Sequence, residues 1–121
     1  MGKTSDELTP DLVEWLRQQH LFFVATAPLD DGGLVNCSPK GIDTFRVLGP
    51  REVACLDLTG SGIETVAHLR ENGRIVLMFC AFGGPPRIVR LHGTGEVHQA
   101  GAAIFEQLRA LFPDHPGARA V

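Results

Sequence analysis

Hydrophobic residues near the start of the chain recur at the spacing of one helical face. The positions concerned are Leu8, Leu12, Trp15 and Leu16. Thr9 can cap such a helix with its hydroxyl group, and Pro10 suits the first helical position. The pattern predicts a helix that begins at Thr9 and packs this face over the end of a sheet, with Trp15 as a core anchor.

The rest of the chain alternates between apolar segments and clusters of turn residues. Strands are predicted over residues 21–27, 34–38, 45–48, 53–58, 75–82 and 87–98. Helices are predicted over residues 64–71 and 102–112, and residues 118–121 have the composition of a further strand. Short strands with helices at the ends and one helix between them predict a mainly β protein, a small six-stranded antiparallel barrel with peripheral helices. No internal repeat or linker interrupts the pattern, so one domain over residues 1–121 is expected.

The segment 75–82 differs from the other strands because it is apolar at nearly every position. A strand of this kind is expected to be buried on both faces. A barrel stave or a subunit interface would provide that burial.

Composition and charge narrow the class of protein. Apolar residues make up 44% of the chain and charged residues 21%, as in folded globular proteins. The net charge of −3 and the lack of a Lys/Arg cluster argue against a nucleic-acid partner. No apolar run has the length of a membrane span, and the N-terminus lacks a signal-peptide core. A cytoplasmic protein without a membrane partner is therefore expected.

The three cysteines fit the same compartment. Cys37, Cys55 and Cys80 are odd in number, lie far apart and each occupy an apolar, strand-like context. We interpret them as buried thiols in a reducing cytoplasm. Their spacing contains no C-x-x-C pair, so no metal site is predicted.

A small polar loop at residues 59–62 is the main candidate for chemistry. Its two glycines allow a ligand to approach the backbone, and Thr59 and Ser61 offer hydroxyl groups beside the free N–H groups of the following helix. These features suit an anion such as a cofactor phosphate. A structural interpretation stays open as well, because Ser61 and Glu64 have the spacing of a capping box.

Three stretches together resemble the pyridoxamine 5′-phosphate oxidase-related family of FMN-binding split barrels. They are VNCSPKG at 35–41, LDLTGSGIETVAHL at 56–69 and PRIVRLHG at 86–93. The resemblance extends over about residues 8 to 121. It implies a six-stranded antiparallel split β-barrel, a homodimer with FMN in a cleft between the subunits, and an oxidoreductase that transfers hydride or electrons to a small substrate.

The resemblance also implies which residues contact the cofactor. They are Ser38, Pro39, Lys40, Asp57, Leu58, Thr59, Ser61, Gly62, Thr65 and Arg90. Ser38 and Lys40 would line the flavin cleft, and Asp57 and Leu58 would flank the ring or the ribityl chain. Arg90 has apolar neighbours, so it is expected to be buried and paired with Asp57 or with a phosphate.

The chain departs from the family in two places. Glu64-Thr65 occupies the helix start where the true oxidases carry an Arg-Lys pair, so Lys40, Arg87 or Arg90 would have to balance a phosphate. The C-terminal segment that holds the vitamin B6 substrate is missing, so the chain resembles a short member with an open barrel edge. True pyridoxamine 5′-phosphate oxidase activity is not predicted.

Several alternatives remain open at this point. A non-catalytic barrel that stores or senses FMN, a deazaflavin or haem has the same pattern, as does an apo dimerisation domain. No catalytic residue can be assigned, because the cofactor of a flavoprotein carries the redox chemistry. His68, on the helix after the loop, is expected to face solvent or an interface.

Overall fold

The fold is mainly β, as the sequence pattern predicts. A computed structural model describes residues 2–41, 43–58, 63–115 and 117–121. The elements are α1 (Pro10–Arg17), β1 (Phe22–Thr26), β2 (Asn36–Lys40), β3 (Phe45–Gly49), β4 (Glu52–Cys55), β5 (Asp57–Leu58), α2 (Ile63–Asn72), β6 (Arg74–Cys80), β7 (Ile88–Thr94), α3 (Ala103–Arg109) and β8 (Ala118–Ala120). None of the helices in these ranges is long and apolar enough to cross a membrane.

Helix α1 begins where the sequence predicts. The Thr9 hydroxyl accepts a hydrogen bond from the Leu12 amide at 3.3 Å, and Pro10 is the first helical residue. Proline has no N–H group to lose at that position, which is why it is tolerated there. Leu16, on the apolar face, is only 1% exposed and lies in the main core.

An antiparallel sheet in the strand order β2-β1-β6-β7 forms the centre of the molecule. One face, called the inner face here, carries Phe22, Val24, Leu77 and Phe79, and these pack with Leu16 in the main core. The Phe22 and Phe79 rings stack with their centroids 5.0 Å apart. Because strand side chains alternate, the intervening residues form the opposite, outer face.

The β3–β4 hairpin lies between two cores. Phe45 and Val53 pack against the inner face, and the Phe45 ring meets the Phe79 ring edge-on at 4.9 Å. On the other side of the hairpin, Ala54 and Phe112 belong to a second, smaller core. The hairpin is therefore apolar on both sides.

The predicted strand over residues 53–58 is divided between two sheets. β4 pairs with β3, whereas β5 pairs with β8 near the end of the chain. Between them Leu56 is 1% exposed, and its amide donates to the Thr44 carbonyl at 2.9 Å. The predicted terminal strand is confirmed as β8. The six-stranded antiparallel split barrel is not confirmed, because the strands in the described ranges form three separate sheets.

The expectation that β6 is buried on both faces holds within this chain for one face only. Leu77 and Phe79 are buried, whereas Val76, Met78 and Cys80 on the outer face are partly exposed. The physical reason is that α1 packs against the inner face. Burial of all three cysteines is also wrong: Cys37, on the outer face of β2, is exposed.

Candidate functional site

The inner face of β2 is polar where the neighbouring strand is mostly apolar. Strand alternation places Asn36, Ser38 and Lys40 on this face, with successive side chains about 6.6 Å apart. Ser38 is 5% exposed, and it is paired across the ladder with Val24 of the main core. A hydroxyl and a cation thus lie at the edge of the core.

Lys40 connects β2 to the residue that opens β5. Its ammonium group donates to a carboxylate oxygen of Asp57 at 3.3 Å, with the two side chains 14% and 17% exposed. An ion pair this well shielded from water is stronger than a surface pair, because screening is weaker. Asp57 lies just before residues 59–62, so this pair holds the chain at the entrance to the loop.

Asn36 connects the same strand to the helix that follows the loop. Its side-chain amide donates to the Thr65 hydroxyl at 2.8 Å, in the first turn of α2. The Lys40–Asp57 and Asn36–Thr65 contacts are called the two loop anchors below. Asp57, before residues 59–62, and Thr65, after them, are therefore both tied to one strand, with Ser38 between the anchors.

A thiol lies close to the first anchor. Burial raises the pKa of Cys55 to about 12, and the charge of Lys40 lowers it only in part. The thiolate is the reactive form of cysteine. Cys55 is therefore protonated at neutral pH, and the structure gives it no role as a nucleophile.

Four of the cofactor residues implied by the family resemblance come together at this place: Ser38, Lys40, Asp57 and Thr65. Three others, Thr59, Ser61 and Gly62, lie outside the described residues. Leu58 packs partly buried against the second core and pairs with Ala118 of β8.

Arg90 and Pro39 lie on the outer face instead. The ladder register places Pro39, Phe23, Met78 and Arg90 in one row across the sheet. Arg90 is exposed, so its predicted burial is wrong. The reason is the alternation of side chains along a strand: its apolar neighbours Val89 and Leu91 face inward, so Arg90 faces outward. The predicted Asp57 partner is Lys40 rather than Arg90.

The sequence pattern alone missed a second row of polar contacts between α2 and the sheet. His68 does not face solvent: its Nδ1 lies 2.9 Å from the hydroxyl of Thr26, which is 3% exposed. At the end of α2, the Asn72 amide donates to the Ala27 carbonyl at 2.8 Å. The available signal was the helical spacing of Thr65, His68 and Asn72, which places three polar side chains on one face.

The arrangement suits an anion. Lys40 supplies a positive charge that Asp57 partly balances, and Ser38 supplies a buried hydroxyl. The first turn of α2 supplies backbone N–H groups that have no partner within the helix. Glu64 is exposed, so water screens its opposing charge. Arg87 is engaged elsewhere, because its guanidinium lies 4.8 Å from the centre of the Trp15 ring.

Comparison with known proteins identifies the family of the chain. The family model described as Pyridoxamine 5'-phosphate oxidase matches residues 8–120. A curated relative from Aspergillus flavus, Pyridoxamine 5'-phosphate oxidase family protein ustO, is 51% identical over 94 residues, which are 76% of this chain and 37% of the relative. The chain thus spans little more than a third of that relative's length, and no solved structure matches it. The chain belongs to the pyridoxamine 5′-phosphate oxidase family.

Proposed function

We propose that this chain binds FMN and acts as a flavin-dependent oxidoreductase in the cytoplasm. It would transfer hydride or electrons to or from a small substrate. The observation that supports it most directly is the pair of loop anchors, which tie Asp57 and Thr65, on either side of residues 59–62, to the inner face of β2. Family membership supports a flavin as the ligand. Pyridoxamine 5′-phosphate oxidase activity itself is not part of the proposal.

The residues near the anchors fit the flavin phosphate. Lys40 would offset the phosphate charge, while its bond to Asp57 keeps the ammonium group in place. Ser38, Thr59, Ser61 and Gly62 would donate from hydroxyl or backbone groups, together with the first turn of α2. Deazaflavin and haem are the alternative cofactors, and haem offers no phosphate for the helix start.

Bound FMN would supply the hydride or electron transfer itself. The chain would bind the cofactor, orient it and keep water from one side of it. Asp57 and Leu58 would flank the ring or the ribityl chain, as the family resemblance implies. Cys55 stays protonated at neutral pH and takes no part in the transfer.

We assign the outer face of the central sheet to a second copy of the chain. Phe23, Val76 and Met78 are partly exposed there, and Ile88 at the β7 edge is 59% exposed. A two-fold dimer packs the same surface of each copy against the other, and an exposed apolar sheet face suits that role. Pro39 and Arg90 lie on this face, so in the dimer they could contact only a flavin that is bound by the partner subunit. We propose in addition that the three sheets of one chain together make up the six-stranded split barrel that the family resemblance implies.

Flavin titration tests the proposal. We expect purified protein to release FMN or to gain thermal stability when FMN is added, because a ligand of the folded state stabilises it. Lys40→Gln should weaken FMN binding by about tenfold, the loss of one charge-assisted hydrogen bond. Arg51→Gln removes the same charge from an exposed turn residue and should leave the affinity unchanged.

Three outcomes separate the alternatives. Absence of released flavin together with no stabilisation by FMN contradicts the proposal. A preference for a deazaflavin, or a Soret band with haem, assigns the site to that cofactor. Bound FMN that is reduced and reoxidised without leaving the protein supports an oxidoreductase, whereas release on reduction favours storage or sensing.

A further inference from the structure

We propose that Asn36 and Thr26 are positioning residues that fix α2 on the sheet and so set the affinity of its first turn for a phosphate group. The inference rests on the proposed FMN function and names residues outside the expected contact set. Neither side chain needs to touch the cofactor. Each acts through a residue of α2, Asn36 through Thr65 and Thr26 through His68.

Apolar contacts alone hold α2 weakly. Val66 is its only buried residue, whereas Ile63 at its start is 58% exposed. In most helices of globular proteins, an apolar stripe determines the orientation. In α2 the apolar stripe is too small for this, so other contacts must determine the orientation of the helix.

The hydrogen bonds to the sheet determine that orientation because their geometry matches the strand spacing. Asn36 and Thr26 are direct partners across the β1–β2 ladder. Neighbouring strands lie about 4.8 Å apart. From Thr65 to His68 a helix rises about 4.5 Å. The two strand residues therefore meet two helix residues one turn apart, which directs α2 across the strands.

The same polar face continues to the end of the helix. Asn72 donates to the Ala27 carbonyl at 2.8 Å, and the Glu71 carboxylate accepts from the Leu29 amide. Rotation of α2 by a single residue, about 100°, would break all these contacts together. Hydrogen bonds of this kind therefore specify one register of the helix on the sheet.

The register matters at the start of the helix. The N–H groups of the first turn and the Ser38 hydroxyl can converge on one anion only if α2 keeps its distance from β2. Asn36 controls that distance, because it bonds Thr65 in the first turn and shares the inner face of β2 with Ser38. The ring and ribityl chain of a flavin lack the negative charge of the phosphate group. Loss of the register should therefore weaken binding of FMN more than binding of riboflavin, which lacks the phosphate.

The test compares FMN and riboflavin affinities in Asn36→Leu, Thr26→Val and the wild type. Both variants should weaken FMN binding by about tenfold, because the N–H donors of the first turn would no longer be aligned with the charged phosphate group. Riboflavin affinity should stay close to that of the wild type. Asn72→Leu is the matched control. It removes the bonds to the Ala27 carbonyl and from the Arg74 amide at the far end of the helix, about 10 Å from Thr65, while Asn36 and Thr26 still hold the first turn. The ratio of the two affinities should therefore stay unchanged.

Amide hydrogen exchange without flavin gives an independent readout. Residues 63–72 should exchange faster in Asn36→Leu, while β6 keeps its protection. If the wild type binds FMN but the variants lose FMN and riboflavin affinity equally, or lose neither, positioning is wrong and the proposed function stands. If the wild type binds no flavin, the proposed function and the phosphate part of this inference both fail. Unchanged exchange over α2 would overturn the positioning itself.

Discussion

At the scale of single residues, two chemical groups lie side by side with opposite properties. Lys40 carries a charge that Asp57 holds at 3.3 Å, whereas Cys55 is kept neutral by burial. Lys40 can therefore attract an anion only as one member of an ion pair, and the thiol is unable to act as a nucleophile. This division of roles comes from the surroundings of each group rather than from its residue type.

The raised pKa of Cys55 predicts a loss of stability at alkaline pH. Below pH 9 the thiol is protonated in the folded and unfolded chain, so it contributes no pH dependence. Between pH 9 and about 12 the unfolded chain releases a proton that the folded chain retains, so the free energy of unfolding falls as pH rises. We expect a loss of roughly 1 kcal/mol per pH unit relative to Cys55→Ser. Denaturant unfolding from pH 7 to 10 measures it, and parallel curves for the two proteins would contradict it.

At the scale of elements, the β2–α2 contact is unusual because hydrogen bonds predominate in it. The helix is followed at once by Gly73, which has a φ of +74° and ends the helix by donating from its amide to the Leu69 carbonyl at 3.0 Å. The sequence Asn72-Gly73 predicted this end correctly. A defined end is needed because β6 begins directly after Gly73 and forms the centre of the sheet.

Substitution of Gly73 should therefore weaken the whole domain. Gly73→Ala places a Cβ at positive φ and 3.1 Å from Cγ2 of Thr94, so we expect a loss of about 1–2 kcal/mol in the free energy of unfolding. Gly49→Ala is the control, because a Cβ there has no neighbour within 4 Å. Chemical denaturation measures both variants. Equal stability of the two would contradict this account of the helix end.

At the scale of the whole molecule, the chain leaves the outer face of the central sheet uncovered. Its strands carry Phe23, Val76 and Met78 partly exposed, with Cys37 exposed at the β2 edge. Apolar surface that is contiguous in this way marks an interaction site in most proteins. The proposed dimer would cover it and would bring Arg90 of one copy toward the other.

A charge at the centre of the outer face should separate the copies. In the single chain position 78 is partly exposed, so the lysine of Met78→Lys can reach water. In the dimer the same substitution would bury an unpaired charge. We expect the dissociation constant of the dimer to rise by about a hundredfold. Light scattering across a concentration series measures the mass. Leu34→Lys, at a turn residue that is 86% exposed, should leave the dimer intact.

A wild-type mass of one chain at all concentrations would refute the dimer. A wild-type dimer that Met78→Lys does not weaken would place the interface on another surface. Neither result bears on the loop anchors, which lie on the inner face of β2.

The strength of sequence reasoning varied with the range of the interactions involved. The Thr9 cap, the Gly73 helix end and the mainly β content follow from neighbouring residues, so they could be predicted. The division of residues 53–58 could not, because it depends on pairing of Asp57 and Leu58 with β8 near the other end of the chain. The prediction that Arg90 is buried was wrong for a related reason. Apolar neighbours on a strand indicate that those neighbours are buried, not the residue between them.

The sequence by itself determined the family, the kinds of element and the candidate phosphate loop, because local propensity and motif spacing are written in consecutive residues. Only the tertiary structure decided that Asn36 and Lys40 tie Thr65 and Asp57, which flank that loop, to one strand. It also decided that Thr26 meets His68. Contacts between residues far apart in the chain depend on the register of strands and the rotation of a helix, and these are fixed by packing of the whole rather than by any single stretch.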